Sequence, residues 1–177
     1  MARAAPSRGR QVAYLVRHAE ALSRGSWPRP DRERPLSELG RRQANAIAGR
    51  LAPGAGAATT LTRALSSPAL RCRETLGPTA ARAGLAVEEV DDLEEGSDPL
   101  EALRAVLRAA SSEADGSTIA ACSHGDVIDG ILESLAPARV TVVGALRAPK
   151  ASVWELEILD GELRHARYLP PPVGARG

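Results

Sequence analysis

Val12-Ala13-Tyr14-Leu15-Val16-Arg17-His18 is the stretch that decides how this chain is read. Five apolar residues rich in β-formers predict a short buried strand. A guanidinium and an imidazole follow at its carboxyl end, where open α/β sheets bind their ligands. The pair therefore predicts an anion site with a nucleophile in it.

Working outward, short apolar strands alternate with amphipathic helices, which argues for a sheet covered by helices on its faces. Leu36-Ser37-Glu38-Leu39-Gly40 opens a helix, with Ser37 as N-cap and Leu36 as a staple; Pro53-Gly54 ends it. A strand is expected near 59–66. A helix then starts at Ser67-Pro68, runs to about Arg82 and closes at Gly84. A third strand over 85–90, a helix over 99–110, a fourth strand over 118–122 and a helix over 127–135 follow. The last two strands, 152–159 and 162–169, are joined by Asp160-Gly161, a strong hairpin turn. The expected fold is α/β: a single three-layer α/β/α sandwich with a mostly parallel central sheet and a C-terminal β-hairpin. The domain is expected to span 11–169, between a disordered basic segment, 1–10, and a flexible Pro-rich tail, 170–177.

The net charge of +1 hides an asymmetry: residues 1–75 hold 14 arginines against 5 acids, and residues 76–177 hold 9 basic residues against 17 acids. Positive charge is thus concentrated around Arg17-His18, which suits an anionic ligand. Nucleic acid is not expected as a partner, because aromatic residues make up only 2% of the chain and no dense Arg/Lys run is present. No stretch approaches the ~18 apolar residues of a membrane span, and 1–9 lacks the apolar core of a secretory signal. Two cysteines, Cys72 and Cys122, give neither a disulfide framework nor a metal-ligand spacing and read as free thiols of a cytoplasmic protein.

The fourth strand repeats the pattern of the first: Ser123-His124-Gly125-Asp126 places an imidazole at a strand end, with a helix N-terminus behind it and a glycine that admits close backbone approach. A third segment, Ser66-Ser67-Pro68-Ala69-Leu70-Arg71-Cys72-Arg73, puts Arg71 in an early helical turn, where it can clamp a phosphate. Arg73 competes for that role. Two residues apart on a helix, the pair face different ways, so one of them is expected on the surface, paired with Glu74 or Glu38. Trp27, in the polar loop 20–35, reads as local packing, and His165, in the last strand, as a surface residue.

Leu15-Val16-Arg17-His18-Ala19-Glu20, Pro35-Leu36-Ser37-Glu38-Leu39-Gly40 with Gln43-Ala44, Ser66-Ser67-Pro68-Ala69-Leu70-Arg71 with Thr75, and Ser123-His124-Gly125 together resemble the histidine phosphatase superfamily, in that family's order. The resemblance implies a metal-independent phosphatase without a cofactor. His18 would be the nucleophile that becomes phosphohistidine, and Arg17, Arg71 and His124 would hold the phosphate oxygens. Ala19 stands where Gly is commoner, as in the small bacterial phosphohistidine-phosphatase-like branch. Where many mutase-type members carry Asn, this chain has Ala21, Leu22, Ser23 and Arg24, with Ser23 the substrate-binding candidate. Mutase activity is not expected. Many members take their proton donor from a Leu-x-Glu segment, which makes Glu95 of Leu93-Glu94-Glu95 the first choice, with Glu94 and Asp126 as rivals. The expected substrate is a phosphorylated small molecule or a phosphohistidine protein. A phosphate-binding module without turnover is the alternative.

Overall fold

The computed structural model describes residues 9–52, 60–135 and 138–172. β1 (Arg10–Arg17) lies inside a seven-stranded sheet completed by β2 (Leu61–Ser66), β3 (Val87–Glu89), β4 (Thr118–Ser123), β5 (Thr141–Val143), β6 (Val153–Leu159) and β7 (Glu162–Leu169). The spatial order is β3-β2-β4-β1-β6-β7-β5. Pairs β3/β2, β2/β4, β4/β1 and β7/β5 are parallel, whereas β1/β6 and β6/β7 are antiparallel. The sheet is therefore mostly parallel and carries the expected C-terminal hairpin. Asp160 (φ 53°) and Gly161 (φ 84°) both take the left-handed conformation that a two-residue hairpin turn requires.

Two helices cover each face: α1 (Glu38–Leu51) and α2 (Leu70–Ala83) on one, α3 (Pro99–Ser111) and α4 (Gly125–Leu135) on the other. The period-two alternation of strand side chains divides the core between the two faces. Ala13, Leu15, Ile119, Ala121, Trp154 and Leu156 pack with Val106, Ile128 and Ile131. Val16, Ala64, Ala120, Cys122 and Val153 pack with Ile47, Cys72 and Leu76. Both cysteines are buried free thiols.

Helix ends follow the local chemistry. The Ser37 hydroxyl accepts from the Gly40 N–H at 3.0 Å, the capping expected of it. A side chain at Gly40 would strike the Glu20 backbone carbonyl, which fixes the strand-to-loop exit against α1. α2 begins at Leu70, later than expected, with Ala69 as N-cap and no side-chain cap bond. The Ser67 hydroxyl is instead engaged by His124 at 2.8 Å and by the Ala69 N–H at 3.2 Å. β3 is shorter than 85–90 because the Leu85 N–H is spent on the Ala80 carbonyl (2.9 Å), behind the left-handed Gly84 that ends α2. β5 was not expected; three residues are too few to show a period. Arg10 belongs to β1. The rest of the N-terminal segment up to residue 8, the Pro53-Gly54 helix stop and the tail from residue 173 lie outside the described residues. Among the described residues no helix is long and apolar enough to cross a membrane.

Candidate active site

β1 and β4 are adjacent and parallel with Arg17 opposite Ser123, so the residues that follow, His18 and His124, leave the sheet side by side. The His18 N–H bonds to the Ser123 carbonyl at 3.0 Å, and the two ring centroids stand 5.4 Å apart. Neither histidine is placed by a helix or a mobile side chain; both are carried by the central ladder.

His18 is 7% exposed. Its Nδ1 lies 2.8 Å from the carbonyl of Ala19, which can only accept, so Nδ1 carries the proton and Nε2 keeps its lone pair. Burial pushes the imidazole down from 6.5 to about 3; the Ala19 bond opposes this, while His124, Arg71 and Arg17 reinforce it. The His18 ring is therefore a free base throughout the neutral range. The same shift has a stability consequence. The unfolded chain protonates His18 near 6.5 and the folded chain only near 3. Stability present above 6.5 should thus drain as the pH falls toward 3, by on the order of a few kcal/mol. Denaturant midpoints between pH 7 and pH 4 should fall less steeply for His18→Gln than for wild type; equal slopes would mean that His18 is not buried as a neutral ring.

Arg71 is 1% exposed and sits in the first turn of α2. Its Nη1 bonds the Asp31 carbonyl (2.9 Å) and lies 3.1 Å from Asp31 Oδ2; its Nη2 bonds Glu95 Oε2 (2.8 Å) and reaches His124 Nδ1 (3.3 Å). Since His124 Nδ1 accepts from a guanidinium, His124 Nε2 holds the proton and donates it to the Ser67 hydroxyl. Arg17 donates through Nη1 to the Ala148 carbonyl at 2.5 Å. The Nε–H groups of Arg17 and Arg71 are buried without a hydrogen-bond partner. Unpaired buried donors are costly, and two of them on guanidiniums that act on the same neutral imidazole describe a site built for anionic oxygens.

Gly125 serves this site differently from the sequence expectation. A Cβ there would stand 2.6 Å from Arg17 Cζ, so what the missing side chain admits is the Arg17 guanidinium. Gly125→Ala should push the Arg17 guanidinium off the Ala148 carbonyl and cost stability by about 1 kcal/mol. It should also cut kcat/KM for an aryl phosphate by about tenfold or more by displacing that guanidinium. Unchanged kcat/KM would remove Arg17 from the anion site.

The proton-donor candidates separate. Glu95 touches Arg71, and Arg24 Nη2 lies 3.3 Å from both its oxygens. Glu94 is turned to Arg32 at 3.5 Å. Asp126, in the first turn of α4, accepts from the Gly96 N–H at 2.8 Å and so anchors the loop that carries Glu95. Ser23 is exposed beside the turn Arg24–Ser26 and makes no side-chain cap bond. Arg73 pairs with Glu89 at 3.0 Å, not with Glu74 or Glu38; Glu74 bonds the Leu36 N–H at 2.7 Å, and Glu38 holds Arg42. Trp27 bonds the Pro30 carbonyl within its own loop, and His165 is exposed.

Three supporting roles go beyond the sequence reading, in which Thr75 stands only within the family-like motif and Ser67 as an N-cap. Thr75 accepts from the Ala19 N–H (2.9 Å) and donates to the Arg71 carbonyl (2.6 Å), linking the loop after β1 to α2. Ser67 accepts the His124 Nε2–H at 2.8 Å and holds the ring's orientation. Asp31 binds Arg71, Arg24 and Arg34, and these guanidiniums hold its carboxyl below the usual range although its burial pushes the other way. Thr75 had a signal, being one helical turn after Arg71; Asp31, in an aperiodic loop, had none. Among the described residues no group of three His, Cys, Asp or Glu is placed to hold a metal ion.

Known proteins share this fold. The family model for the histidine phosphatase superfamily (branch 1) matches residues 13–101. An 8-oxo-(d)GTP phosphatase of Mycolicibacterium smegmatis is 33% identical over 168 residues, covering 92% of this chain and 49% of that protein. The chain thus spans about half the length of that curated relative. A structure assigned as the phosphohistidine phosphatase SixA of Agrobacterium tumefaciens superposes with TM-score 0.64 at 25% identity, covering 90% of this chain and 98% of that one. A protein histidine phosphatase SixA in complex with tungstate shares the fold, with TM-score 0.65 at 17% identity over 90% of this chain and 94% of that one. With its motifs in order on this sheet and the family model spanning His18 and Arg71, the chain belongs to the histidine phosphatase superfamily, branch 1.

Proposed function

We propose that this chain is a phosphatase that works through a phosphohistidine on His18 and needs no metal. One observation carries the reading: a buried neutral imidazole with Nδ1–H tied to Ala19 and Nε2 left free, beside two buried guanidiniums that each keep an unpaired Nε–H. The Nε2 lone pair attacks phosphorus while the bond to the leaving oxygen or nitrogen breaks. Arg17 and Arg71 offset the charge on the equatorial oxygens, with His124 Nδ1 holding the Arg71 guanidinium in place. Water then attacks phosphorus, the P–N bond breaks, and inorganic phosphate and free His18 are released. Glu95, a carboxylate between Arg71 and Arg24, is placed to take the proton of the attacking water and, in the protonated form so reached, to hand it to a leaving atom. Its contact with Arg71 supports it over Glu94 and Asp126, which are engaged elsewhere.

The relatives' names point to two leaving groups of different chemistry. One is the imidazole of a phosphohistidine; the other is a nucleoside polyphosphate, which departs as a stable anion. The substrate panel should hold both, with a phosphomonoester of an aliphatic alcohol, the arm that most needs a proton donor. The deciding experiment is turnover of an aryl phosphate with chelator present, with rapid quench for acid-labile phosphoryl-enzyme. Phosphate binding without turnover would leave a binding module; turnover without a phosphoryl-enzyme would remove the covalent route.

A further inference from the structure

Arg71, as it stands, is not free to grip a phosphate with two donors. Both Nη1 hydrogens face Asp31, and the Nη2 hydrogens face Glu95 and His124. Only Nε–H is unpaired. A side-on bidentate grip needs Nε–H together with an Nη hydrogen beside it. An arriving phosphate and the Glu95 carboxylate would then crowd one guanidinium edge with like charges, so the carboxylate has to leave.

The residue that can receive it is already in contact. Arg24 Nη2 lies 3.3 Å from each Glu95 oxygen, on the outer side of the site. Arg24 is itself held: its Nε and Nη2 bond Asp31 Oδ1 and Oδ2 at 3.0 and 3.2 Å. Asp31 holds the far edge of Arg71 at the same time, and Arg34 Nε holds Asp31 at 2.7 Å while its Nη1 bonds the Leu22 carbonyl. The four side chains close a ring of alternating charge, Arg71–Asp31–Arg24–Glu95. In that ring the two guanidiniums are fixed by Asp31, and Glu95, which swings on its own side chain, is the member free to shift.

We propose that Arg24 is a positioning residue that takes the Glu95 carboxylate over from Arg71 when phosphate enters, clearing the clamp and keeping Glu95 at the mouth beside the leaving group. This rests on the phosphatase reading above. Without Arg24 the carboxylate has Arg71 as its one guanidinium and competes with the substrate for it.

The test is a double-mutant cycle read as the inhibition constant of inorganic phosphate and KM against aryl phosphate turnover. Arg24→Met should raise both by about threefold to fivefold, the scale of a solvent-exposed ion pair, and Arg24→Lys should recover part of the loss. Glu95→Gln should bind phosphate more tightly than wild type. The decisive variant is Arg24→Met with Glu95→Gln: its inhibition constant should match that of Glu95→Gln alone, because no carboxylate is left to compete. A merely structural role for Arg24 would carry its penalty unchanged into the Glu95→Gln background. That result, or an unaltered inhibition constant in Arg24→Met, overturns the proposal while leaving the phosphatase reading standing. Failure of the wild type both to bind phosphate and to turn over aryl phosphate overturns the two together.

Discussion

His18→Ala should reduce turnover of an aryl phosphate by more than about 10⁴-fold, a loss on the scale of nucleophile deletions in enzymes whose catalytic groups act as a unit. No acid-labile phosphoryl-enzyme should be recovered from the variant. The fold should survive. The backbone of residue 18 keeps its bonds to Ser123 O (3.0 Å) and from Ala151 N (3.3 Å), and the side chain gives up only its bond to the Ala19 carbonyl. Phosphate should still bind, because the guanidiniums of Arg17 and Arg71 remain, and loss of a neutral ring removes no positive charge. Retained phosphate binding with lost turnover is therefore the expected signature. Phosphoryl-enzyme persisting in His18→Ala would move the nucleophile elsewhere, with His124 the first place to look. A variant that loses phosphate binding along with turnover would mean that His18 shapes the site instead of reacting in it.

Much of this arrangement is legible in the chain because it is carried by regular elements. A strand ending in Arg-His and another ending in Ser-His-Gly place two imidazoles at one rim as soon as the strands are parallel neighbours, and their continuous apolar runs suit central strands buried on both faces. Ser37 and Asp160-Gly161 state their cap and their turn in their side chains and backbone freedom. What is not legible depends on contacts that no period records. Ser67 reads as an N-cap by its position before Pro68, yet its hydroxyl orients His124. Gly125 reads as room for a ligand, yet the space is filled by Arg17. Arg24 and Asp31 lie in a loop whose residues do not repeat, and their roles appear only where that loop folds back onto Arg71 and Glu95. β5 is a three-residue edge strand that depends on β7 for its register.

Arg71 and Arg73 give the sharpest contrast between neighbours in sequence. Two residues turn a helix by about 200°, so the side chains leave α2 on opposite faces. Arg71, with Thr75 one turn on, faces the sheet end, and Arg73 faces outward to Glu89. Arg71 is 2% exposed at its side chain and Arg73 43%. Arg73→Ala should change kcat/KM less than about twofold and stability by at most about 1 kcal/mol, as for an exposed ion pair. Arg71→Ala should cost about 10³-fold in kcat/KM, near 4 kcal/mol of transition-state stabilisation, the range seen when one preorganised donor to developing charge is removed. Alanine at 71 also withdraws the donor from His124 Nδ1 and one cation from Asp31 and Glu95, so the fold should lose stability as well. Arg71→Lys separates the two effects. It keeps a cation near Asp31 and Glu95 but gives up the planar fork. Its unfolding temperature should stay closer to that of wild type than the alanine variant's, while kcat/KM remains down by about 10²-fold. Wild-type kcat/KM in Arg71→Lys would show that the site asks position 71 for charge alone. A larger loss in Arg73→Ala than in Arg71→Ala would reverse the helix phase and remove Arg71 from the phosphate.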